Sequence, residues 1–347
     1  TLVIEGEAIV SQHIGDLEHH DAYVAFQETI RDLMAMHGVS HDELSVVHDL
    51  HPQYASTSYA LTLSCQQRSA VQHHRAHVAS VLAERGEFDK KVIGVAFDGT
   101  GYGDDGNIWG GELFSGSVTS GFTRVAHLRP AALPGGDAAA RWPVQAAAGF
   151  LAGIDGMPDL TAAPFHFPKR YSTARRLIDK SVRTFSTTSA GRLFDTAAAL
   201  VGFTREVTFE GQAAIWLEQL ARRDGVAKPY PVPFDGAELD FRPALLAVAE
   251  QRRRGKAPAE IARAFHRGLA QGIADALISL CEAEATDTAV LSGGVFQNDL
   301  LLAEVVKCLS STRIKVWTNR DVPPNDGGIS LGQAALSLER AASPRAI

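Results

Sequence analysis

The sequence predicts an α/β protein built from two lobes that hold a ligand in the cleft between them. Its 347 residues exceed the usual size of one hydrophobic core, and 45% of them are hydrophobic, so two well-packed lobes are expected. Apolar, strand-like runs that end in glycine turns occur in both halves, at residues 92–99 and 288–294. Open α/β sheets bind their ligands at such strand ends.

The first part of the chain alternates short strands with helices. Strands are predicted at residues 1–4, 8–11, 44–47, 70–73 and 92–98. Helices are predicted at residues 21–37, about 54–66 and 74–85. Glycines between residues 99 and 111 predict a hairpin loop, and strands are expected to follow near residues 111–115 and 123–128.

The second part of the chain is predicted to be mostly helical between residues 138 and 285. Proline-rich segments interrupt this region at residues 163–168 and 228–234, and a long helix is expected at about 257–284. Strands and helices then alternate again, with a strand into a glycine turn at 288–294, a helix at 297–309, a strand at 314–317 and a helix at 329–338.

Composition excludes several classes of protein. The formal net charge of -7 argues against binding nucleic acid or anionic membrane through bulk charge, and the basic run at residues 251–256 is interpreted as a solvated helix end, with a local basic patch as the alternative. Three scattered cysteines (Cys65, Cys281 and Cys308) favour a reducing, cytoplasmic setting. No apolar run approaches the ~18 residues that span a bilayer, so a soluble protein is expected.

Two histidines one helical turn apart, His73 and His77, can face a single metal ion. Either residue alone could be an ordinary interior histidine, and Asp326 alone is interpreted as the N-cap of the helix near residue 329. Together with Asp98 and Asp326, the histidines form a mixed nitrogen and oxygen set that suits iron, zinc or manganese. The glutamate of helical metalloprotease motifs is absent, so proteolysis is not predicted.

Two glycine-rich segments could bind an anion. In residues 97–106, backbone N–H groups can approach a phosphate closely, although a structural hairpin would have a similar composition. In residues 291–298, a strand leads through Gly293 and Gly294 into a helix N-terminus, where Asn298 could contact a base or ribose; a tight packed turn is the alternative. Walker-type loops and nucleophile elbows are both missing from the sequence.

At these motifs the sequence resembles the C-terminal domain of the HypF family of hydrogenase-maturation carbamoyltransferases. The matching segments occur in order over nearly the whole chain, at residues 49–52, 71–77, 97–103, 109–112, 133–137, 191–195, 209–211, 291–298 and 323–328. This resemblance implies the actin/Hsp70/sugar-kinase (ASKHA) fold, with two ribonuclease-H-like lobes around a nucleotide cleft. We assign residues 1–125 to the N-terminal lobe and residues 126–347, with a helical insertion, to the C-terminal lobe.

The resemblance also implies roles for individual residues. The metal ligands would be His73, His77, Asp98 and Asp326, holding one divalent ion, iron or zinc, with magnesium as a further option. The nucleotide-binding residues would be Gly99, Thr100, Gly101, Gly191, Asp195, Glu210, Gly293, Gly294 and Asn298. The candidates for contact with a carbamoyl group are His51 and Arg192.

In this family the reaction would be carbamoyl transfer from carbamoyl adenylate to the C-terminal cysteine of a HypE-like partner. The resulting thiocarbamate is the precursor of the cyanide ligand of [NiFe] hydrogenases. A YrdC-like domain makes carbamoyl adenylate from ATP, and full-length family members carry it, with acylphosphatase and zinc-finger-like modules, ahead of the present region. None of these modules is found in the sequence, so a short natural variant or an excised domain is expected.

Three alternative functions stand beside this one. The first is O-carbamoylation of a small hydroxylated metabolite, as in antibiotic tailoring enzymes that share this domain. The second is a noncatalytic nucleotide-sensing scaffold. The third, threonylcarbamoyl transfer to tRNA, is disfavoured by the acidic chain.

Overall fold

The computed structural model describes residues 1–223 and 225–342 and has an α/β architecture. The strands within the described residues are β1 (Leu2–Ile4), β2 (Glu7–Ile9), β3 (Ser45–Asp49), β4 (Gln67–Val71), β5 (Val92–Tyr102), β6 (Ile108–Ser117), β7 (Gly121–Leu128), β8 (Ala131–Pro134), β9 (Thr184–Thr187), β10 (Glu238–Leu239), β11 (Thr288–Ser292) and β12 (Lys315–Thr318). The helices are α1 (His20–Met36), α2 (Ala55–Thr62), α3 (His73–Ala83), α4 (Asp137–Arg141), α5 (Pro143–Phe150), α6 (Lys169–Asp179), α7 (Ala190–Val201), α8 (Gln212–Ala221), α9 (Arg242–Arg253), α10 (Pro258–Ala283), α11 (Asp299–Leu309) and α12 (Ile329–Ala342).

A mixed sheet forms the centre of the fold, with the strand order β10-β7-β6-β5-β11-β12. Strands β5, β6 and β7 form an antiparallel meander, whereas β11 runs parallel to both β5 and β12. Strand β9 pairs with β6 on one side and with β8 on the other, and β3 and β4 form a separate parallel pair. Because β5 and β11 are parallel neighbours, their carboxyl ends lie at the same edge of the sheet.

Both faces of this sheet are covered. Ile93, Val95 and Phe97 of β5 belong to a large core shared with helices α5, α7, α9 and α10, whereas Val92 and Ala96 belong to a second core under α3 and α12. This alternation follows from the two-residue period of a strand. It also explains why β5 and β11 read as continuous apolar runs in the sequence.

Helix α12 packs closely against α3, the helix that carries the two histidines. A Cβ atom at Gly332 would lie 1.9 Å from the carbonyl oxygen of Ala76, so only glycine permits this approach of the two backbones. The close contact fixes the chain after residue 328 relative to α3.

Several elements differ from their predicted limits. Helix α3 begins at His73, which was expected to end a strand, because the Gln72 side chain caps the helix. Strand β5 continues to Tyr102 through the expected hairpin loop, since Gly101 pairs with Trp109 after a register shift. The short strands β8, β9 and β10 were not predicted. Residues 125 and 126, the predicted lobe boundary, lie within β7, and the domain division stays a prediction.

In the described part of the chain, no helix has both the length and the apolar character needed to cross a membrane.

Candidate metal centre and nucleotide cleft

The first two turns of α3 carry two buried histidines. Gln72 caps the N-terminus of this helix, because its side-chain oxygen accepts a hydrogen bond from the backbone N–H of Arg75 at 3.0 Å. His73 and His77 are four residues apart and so lie on one face of the helix. Their side chains are only 2% and 1% exposed. Their Nε2 atoms approach the same carboxylates.

Asp98 on β5 and Asp326 on the loop before α12 face these imidazoles. Asp98 Oδ2 lies 3.2 Å from Nε2 of His73 and 3.4 Å from Nε2 of His77. Asp326 Oδ1 lies 3.4 Å from each of these nitrogens. Adjacent ligands around one ion at about 2.1 Å are roughly 3.0–3.4 Å apart, so these separations fit a single metal ion.

The hydrogen bonding and the exposure of the candidate ligand atoms also fit a metal ion. The Nε2 atom of His77 is buried and has no hydrogen-bond partner among the described residues. Leaving a buried polar atom unsatisfied costs about 1–3 kcal/mol, which coordination would remove. The side chain of Asp326 is 65% exposed, whereas the other three candidate ligands are buried, so the cluster opens to solvent on the side of Asp326.

The charges in the cluster are strongly coupled. Burial opposes protonation of His73, but Asp326, Asp49 and Asp98 together hold its pKa well above the ordinary value. The pKa of His77 is also raised, against its burial, by Asp326 and Asp98. Burial favours the neutral form of Asp98, yet the two histidines hold its pKa well below the ordinary range. A metal ion bound here must therefore displace protons from the imidazoles.

A residue that the sequence analysis missed, Asp49, orients the first histidine. Its Oδ2 lies 2.9 Å from Nδ1 of His73, and its Oδ1 accepts a hydrogen bond from the backbone N–H of His51 at 2.8 Å. A carboxylate behind a ligating histidine fixes the ring and its tautomer. Asp49 ends β3, and its place at the end of the apolar run of that strand was the signal in the sequence that could have identified it.

The glycine turn after β11 supports Asp98. Gly293 has a φ of +101°, and a Cβ atom there would lie 2.2 Å from the carbonyl oxygen of Phe97. The next residue, Gly294, donates its backbone N–H to Asp98 Oδ1 at 3.0 Å. The N–H of Gly293 donates to the carbonyl oxygen of Pro324 at 2.9 Å, which ties this turn to the Asp326 loop.

The glycines of β5 lie between the metal cluster and the opposite wall of the cleft. Gly101 passes directly over the rings of His73 and His74, and Thr100 is exposed. The Cβ position of Gly99 is 3.5 Å from Glu210 Oε1, and the Cβ position of Gly191 is 2.9 Å from the Cα of Gly99. Gly99 of β5 is therefore in contact with two other predicted nucleotide-binding residues, Gly191 and Glu210.

Arg192 and Asp195 form a buried pair at the start of α7. Arg192 Nη1 lies 2.9 Å from Asp195 Oδ2, but neither atom makes a hydrogen bond among the described residues, and Nε of Arg192 is likewise unsatisfied. Burial raises the pKa of Asp195 to about 6, although Arg192 acts in the opposite direction. Glu210 nearby is exposed at the surface, yet partial desolvation of its carboxyl group and the acids Asp98 and Asp326 raise its pKa.

The side chain of Asn298 is engaged within the fold. Its Oδ1 accepts the backbone N–H of Leu301 at 2.9 Å and caps α11, while its Nδ2 lies 3.1 Å from Nε2 of the buried His266. The ring of His266 is held in turn by Nδ1, which is 2.8 Å from the carbonyl oxygen of Ala262. A nucleotide contact through this side chain would replace one of these bonds.

His51 lies above the metal cluster. Its ring stacks on Tyr54 with centroids 4.1 Å apart and an angle of 11°, and it meets the edge of Tyr102 at 5.5 Å. Nδ1 of His51 accepts the backbone N–H of Gln53 at 3.2 Å, which assigns the proton of the neutral ring to Nε2. Arg192, the other carbamoyl-site candidate, is on the α7 wall beyond Gly99.

A cavity of about 360 Å³ adjoins the glycine turn. It lies between the segments that follow β11 and β12, and its lining includes Phe296, Gln297, Thr318 and Asn319. A second cavity of about 420 Å³ is lined by residues of α5 and α6, away from the histidines.

Comparison with known families agrees with this arrangement. The profile described as "HypF Kae1-like domain" matches residues 1–84, and the profile described as "Carbamoyltransferase, Kae1-like Domain, second subdomain" matches residues 94–333. The chain belongs to the HypF carbamoyltransferase family. The resemblance inferred from the sequence motifs is thereby confirmed.

Relatives in this family differ in length. The chain is 35% identical over 356 residues to the carbamoyltransferase HypF of Synechocystis, a match that covers 96% of this chain and 45% of the relative. It is 34% identical over 357 residues to a HypF homolog of Cupriavidus necator, covering 96% of this chain and 87% of that protein. The chain therefore spans less than half of the long HypF protein and most of the short one.

Solved HypF structures have the same fold. A full-length HypF in its phosphate- and nucleotide-bound form is 36% identical, with a TM-score of 0.87 over 97% of this chain and 52% of that one. HypF of T. kodakarensis is 29% identical, with a TM-score of 0.86 over 96% of this chain and 45% of that one. The predicted α/β class and ASKHA fold are confirmed by these HypF relatives and by the mixed central sheet.

Proposed function

We propose that this chain transfers a carbamoyl group from carbamoyl adenylate to the C-terminal cysteine of a HypE-like protein. One observation carries the proposal: in a chain of the HypF family, the cluster His73, His77, Asp98 and Asp326 opens toward a cleft whose other wall holds the buried Arg192. Its relatives are named carbamoyltransferases, and one HypF structure is described as nucleotide-bound, which supports a nucleotide-linked carbamoyl donor.

The cleft offers donors for the phosphate of the adenylate. Nε and Nη1 of Arg192 make no hydrogen bond among the described residues, and phosphate oxygens are strong acceptors for a guanidinium. Gly191 packs closely on Gly99, since a Cβ atom at Gly191 would lie 2.9 Å from the Cα of Gly99, and this contact brings the start of α7 against β5. We therefore assign the phosphate contact to the guanidinium of Arg192.

The four ligand residues would hold one iron or zinc ion. When bound, the ion supplies positive charge that orients the phosphate and polarises the carbamoyl carbonyl. His51 is a further candidate for contact with the carbamoyl group, because its backbone N–H is bound by Asp49, the carboxylate that contacts His73. Asp49 keeps His73 in the orientation that coordination requires.

The transfer itself is a displacement at the carbamoyl carbon. The sulfur of the acceptor forms a bond to this carbon, and the bond from the carbon to the phosphate oxygen breaks, so that AMP leaves. We assign the thiol proton to Glu210, because its exposed carboxylate lies beside Gly99 in the cleft and its pKa is raised, which makes it a stronger base. The acceptor provides the nucleophile, which agrees with a raised pKa for Cys281 and Cys308, caused first by burial.

The donor is proposed to come from a YrdC-like domain, whether on the same polypeptide or a separate one. Radiolabelled carbamoyl phosphate, ATP and a HypE-like protein would be incubated with this chain, with and without such a domain. We expect label on the acceptor only when the YrdC-like domain is present, and none on an acceptor whose terminal cysteine is replaced by serine.

Two variants of this chain test whether transfer depends on the candidate metal centre. The double variant H73A/H77A is expected to lose transfer but retain binding to the acceptor, whereas E284Q, which alters a carboxylate on a distant surface, is expected to transfer normally. Transfer by H73A/H77A at the rate of the wild type would overturn the assigned centre. Failure of the folded wild type to label the acceptor in the complete mixture would overturn the proposed reaction.

A further inference from the structure

The exposed metal ligand, Asp326, lies on a loop that needs an anchor. The loop joins β12 to α12, and its carboxylate must stay 3.4 Å from two nitrogens of a different helix. A ligand on a freely moving loop would lose conformational entropy on every binding event. Besides the bond from Gly293 to Pro324, the structure holds this loop at the segment just after β12, residues 319–322.

Glu84 holds that segment. It follows the last residue of α3, and its side chain is only 2% exposed. Its carboxylate accepts the backbone N–H groups of Arg320 at 2.9 Å, Asp321 at 3.0 Å and Val322 at 3.4 Å. Three successive N–H groups that converge on one carboxylate form charge-assisted hydrogen bonds in a buried setting, which makes the contact strong and directional.

Neighbouring contacts brace the same connection. The guanidinium of Arg85 contacts the Glu84 carboxylate, donates to the carbonyl oxygen of Thr318 at 2.6 Å and stacks over Trp317. Asn319 donates to the hydroxyl of Ser80 on α3 at 2.9 Å. The loop is therefore fastened to the C-terminal end of α3 before it reaches Asp326.

One rigid helix thus controls both sides of the metal centre. His73 and His77 lie in its first turns, and Glu84 is seven residues beyond His77, or about 10 Å along a helix. Glu84 is too distant to be a ligand. Its contacts with the backbone of residues 320–322 instead set where the chain leading to Asp326 begins.

We propose that Glu84 is a positioning residue for the metal centre, which holds the Asp326 loop at the distance from His73 and His77 that coordination requires. This inference rests on the metal site of the proposed function. The E84Q variant keeps the shape of the side chain. It replaces the carboxylate, which only accepts hydrogen bonds, by an uncharged amide, which also donates them. Outer partners of metal ligands typically change affinity by 10–100-fold, and we expect weakening in that range.

The test uses the metal alone as its probe. Calorimetric titration with Zn²⁺ gives the dissociation constant, and the visible absorption of bound Co²⁺ reports the coordination number. E84Q is expected to bind Zn²⁺ 10–100-fold more weakly, with an altered Co²⁺ spectrum. The matched control is E284Q, because Glu284 also follows a helix and bonds Lys91 and Ser115, away from the cluster; its binding should equal that of the wild type.

A double-variant cycle separates positioning from general weakening. If Glu84 acts through Asp326, E84Q should cause no further loss of Zn²⁺ affinity in a D326A background. An equal loss in both backgrounds, or wild-type binding by E84Q, would overturn the proposal. If E84Q does not fold, E84D provides the test, since its shorter carboxylate should give a smaller loss; wild-type affinity in E84D would then refute the role. Absence of Zn²⁺ binding by the wild type would instead overturn the metal site itself.

Discussion

Substitution of Gly101 by alanine is expected to displace the rings of His73 and His74 and thereby to disturb the metal centre. Its Cβ atom would lie 2.6 Å from Cε1 of His74 and 3.0 Å from Cδ2 of His73, while ordinary contacts begin at 3.4 Å. The two rings must therefore retreat by about 0.8 Å and 0.4 Å. Both rings are buried, so this overpacking should reduce the free energy of unfolding by about 1–3 kcal/mol.

The same displacement should weaken metal binding. Metal–ligand distances tolerate deviations of about 0.2 Å, and the required movement of His73 is larger than that. We expect the Zn²⁺ dissociation constant of G101A to rise about tenfold or more. Calorimetric titration measures this constant, and thermal unfolding of the metal-free protein measures the packing cost separately.

A matched variant lies two residues earlier on the same strand. In G99A the new Cβ atom would make one contact of ordinary van der Waals length, 3.5 Å from Glu210 Oε1. We expect its Zn²⁺ affinity and unfolding temperature to stay near those of the wild type. Wild-type behaviour of G101A in both measurements would refute the close approach of β5 to the histidines.

Three further predictions concern the surroundings of the cluster. D49N should weaken Zn²⁺ binding by about 10–100-fold in the same titration, because His73 loses its charged partner; unchanged affinity would contradict this. N298A should lower the free energy of unfolding in urea by about 1–3 kcal/mol, because α11 loses its cap and buried His266 its partner; a loss under 0.5 kcal/mol would count against it. Burial raises the pKa of Asp195 to about 6, so between pH 4 and 6 this residue keeps a proton in the folded state that it loses in the unfolded state, and its contribution to stability falls as pH rises. D195N should remove this contribution, and an unaltered slope of stability against pH in urea denaturation from pH 4 to 6 would contradict it.

Much of the central sheet could be predicted from the sequence. Strands β5 and β11 are buried on both faces, and so they appear as uninterrupted apolar runs. The continuation of β5 through its glycines was missed because glycine disfavours strands, whereas pairing with β6 overrides that local preference here. The short strands β8, β9 and β10 carry too few residues for a periodic signal.

The candidate site divides in the same way. His73 and His77 stand out by helical spacing, and Asp98 by its place near the end of an apolar strand, so their residue types and positions are visible locally. Asp49 and Glu84 were missed because they act through hydrogen bonds to distant parts of the chain. Asp49 is 24 residues from His73, and Glu84 is 236 residues from Arg320.

The sequence by itself determined the family, the α/β class and the four candidate ligands, because each depends on motifs of a few consecutive residues. Only the tertiary structure decided that the four ligand atoms lie within 4.8 Å of one another, that Asn298 is used inside the fold and that α3 braces the Asp326 loop. Those features depend on contacts between segments far apart in the chain. Such contacts are fixed by packing of the whole core, which no local pattern contains.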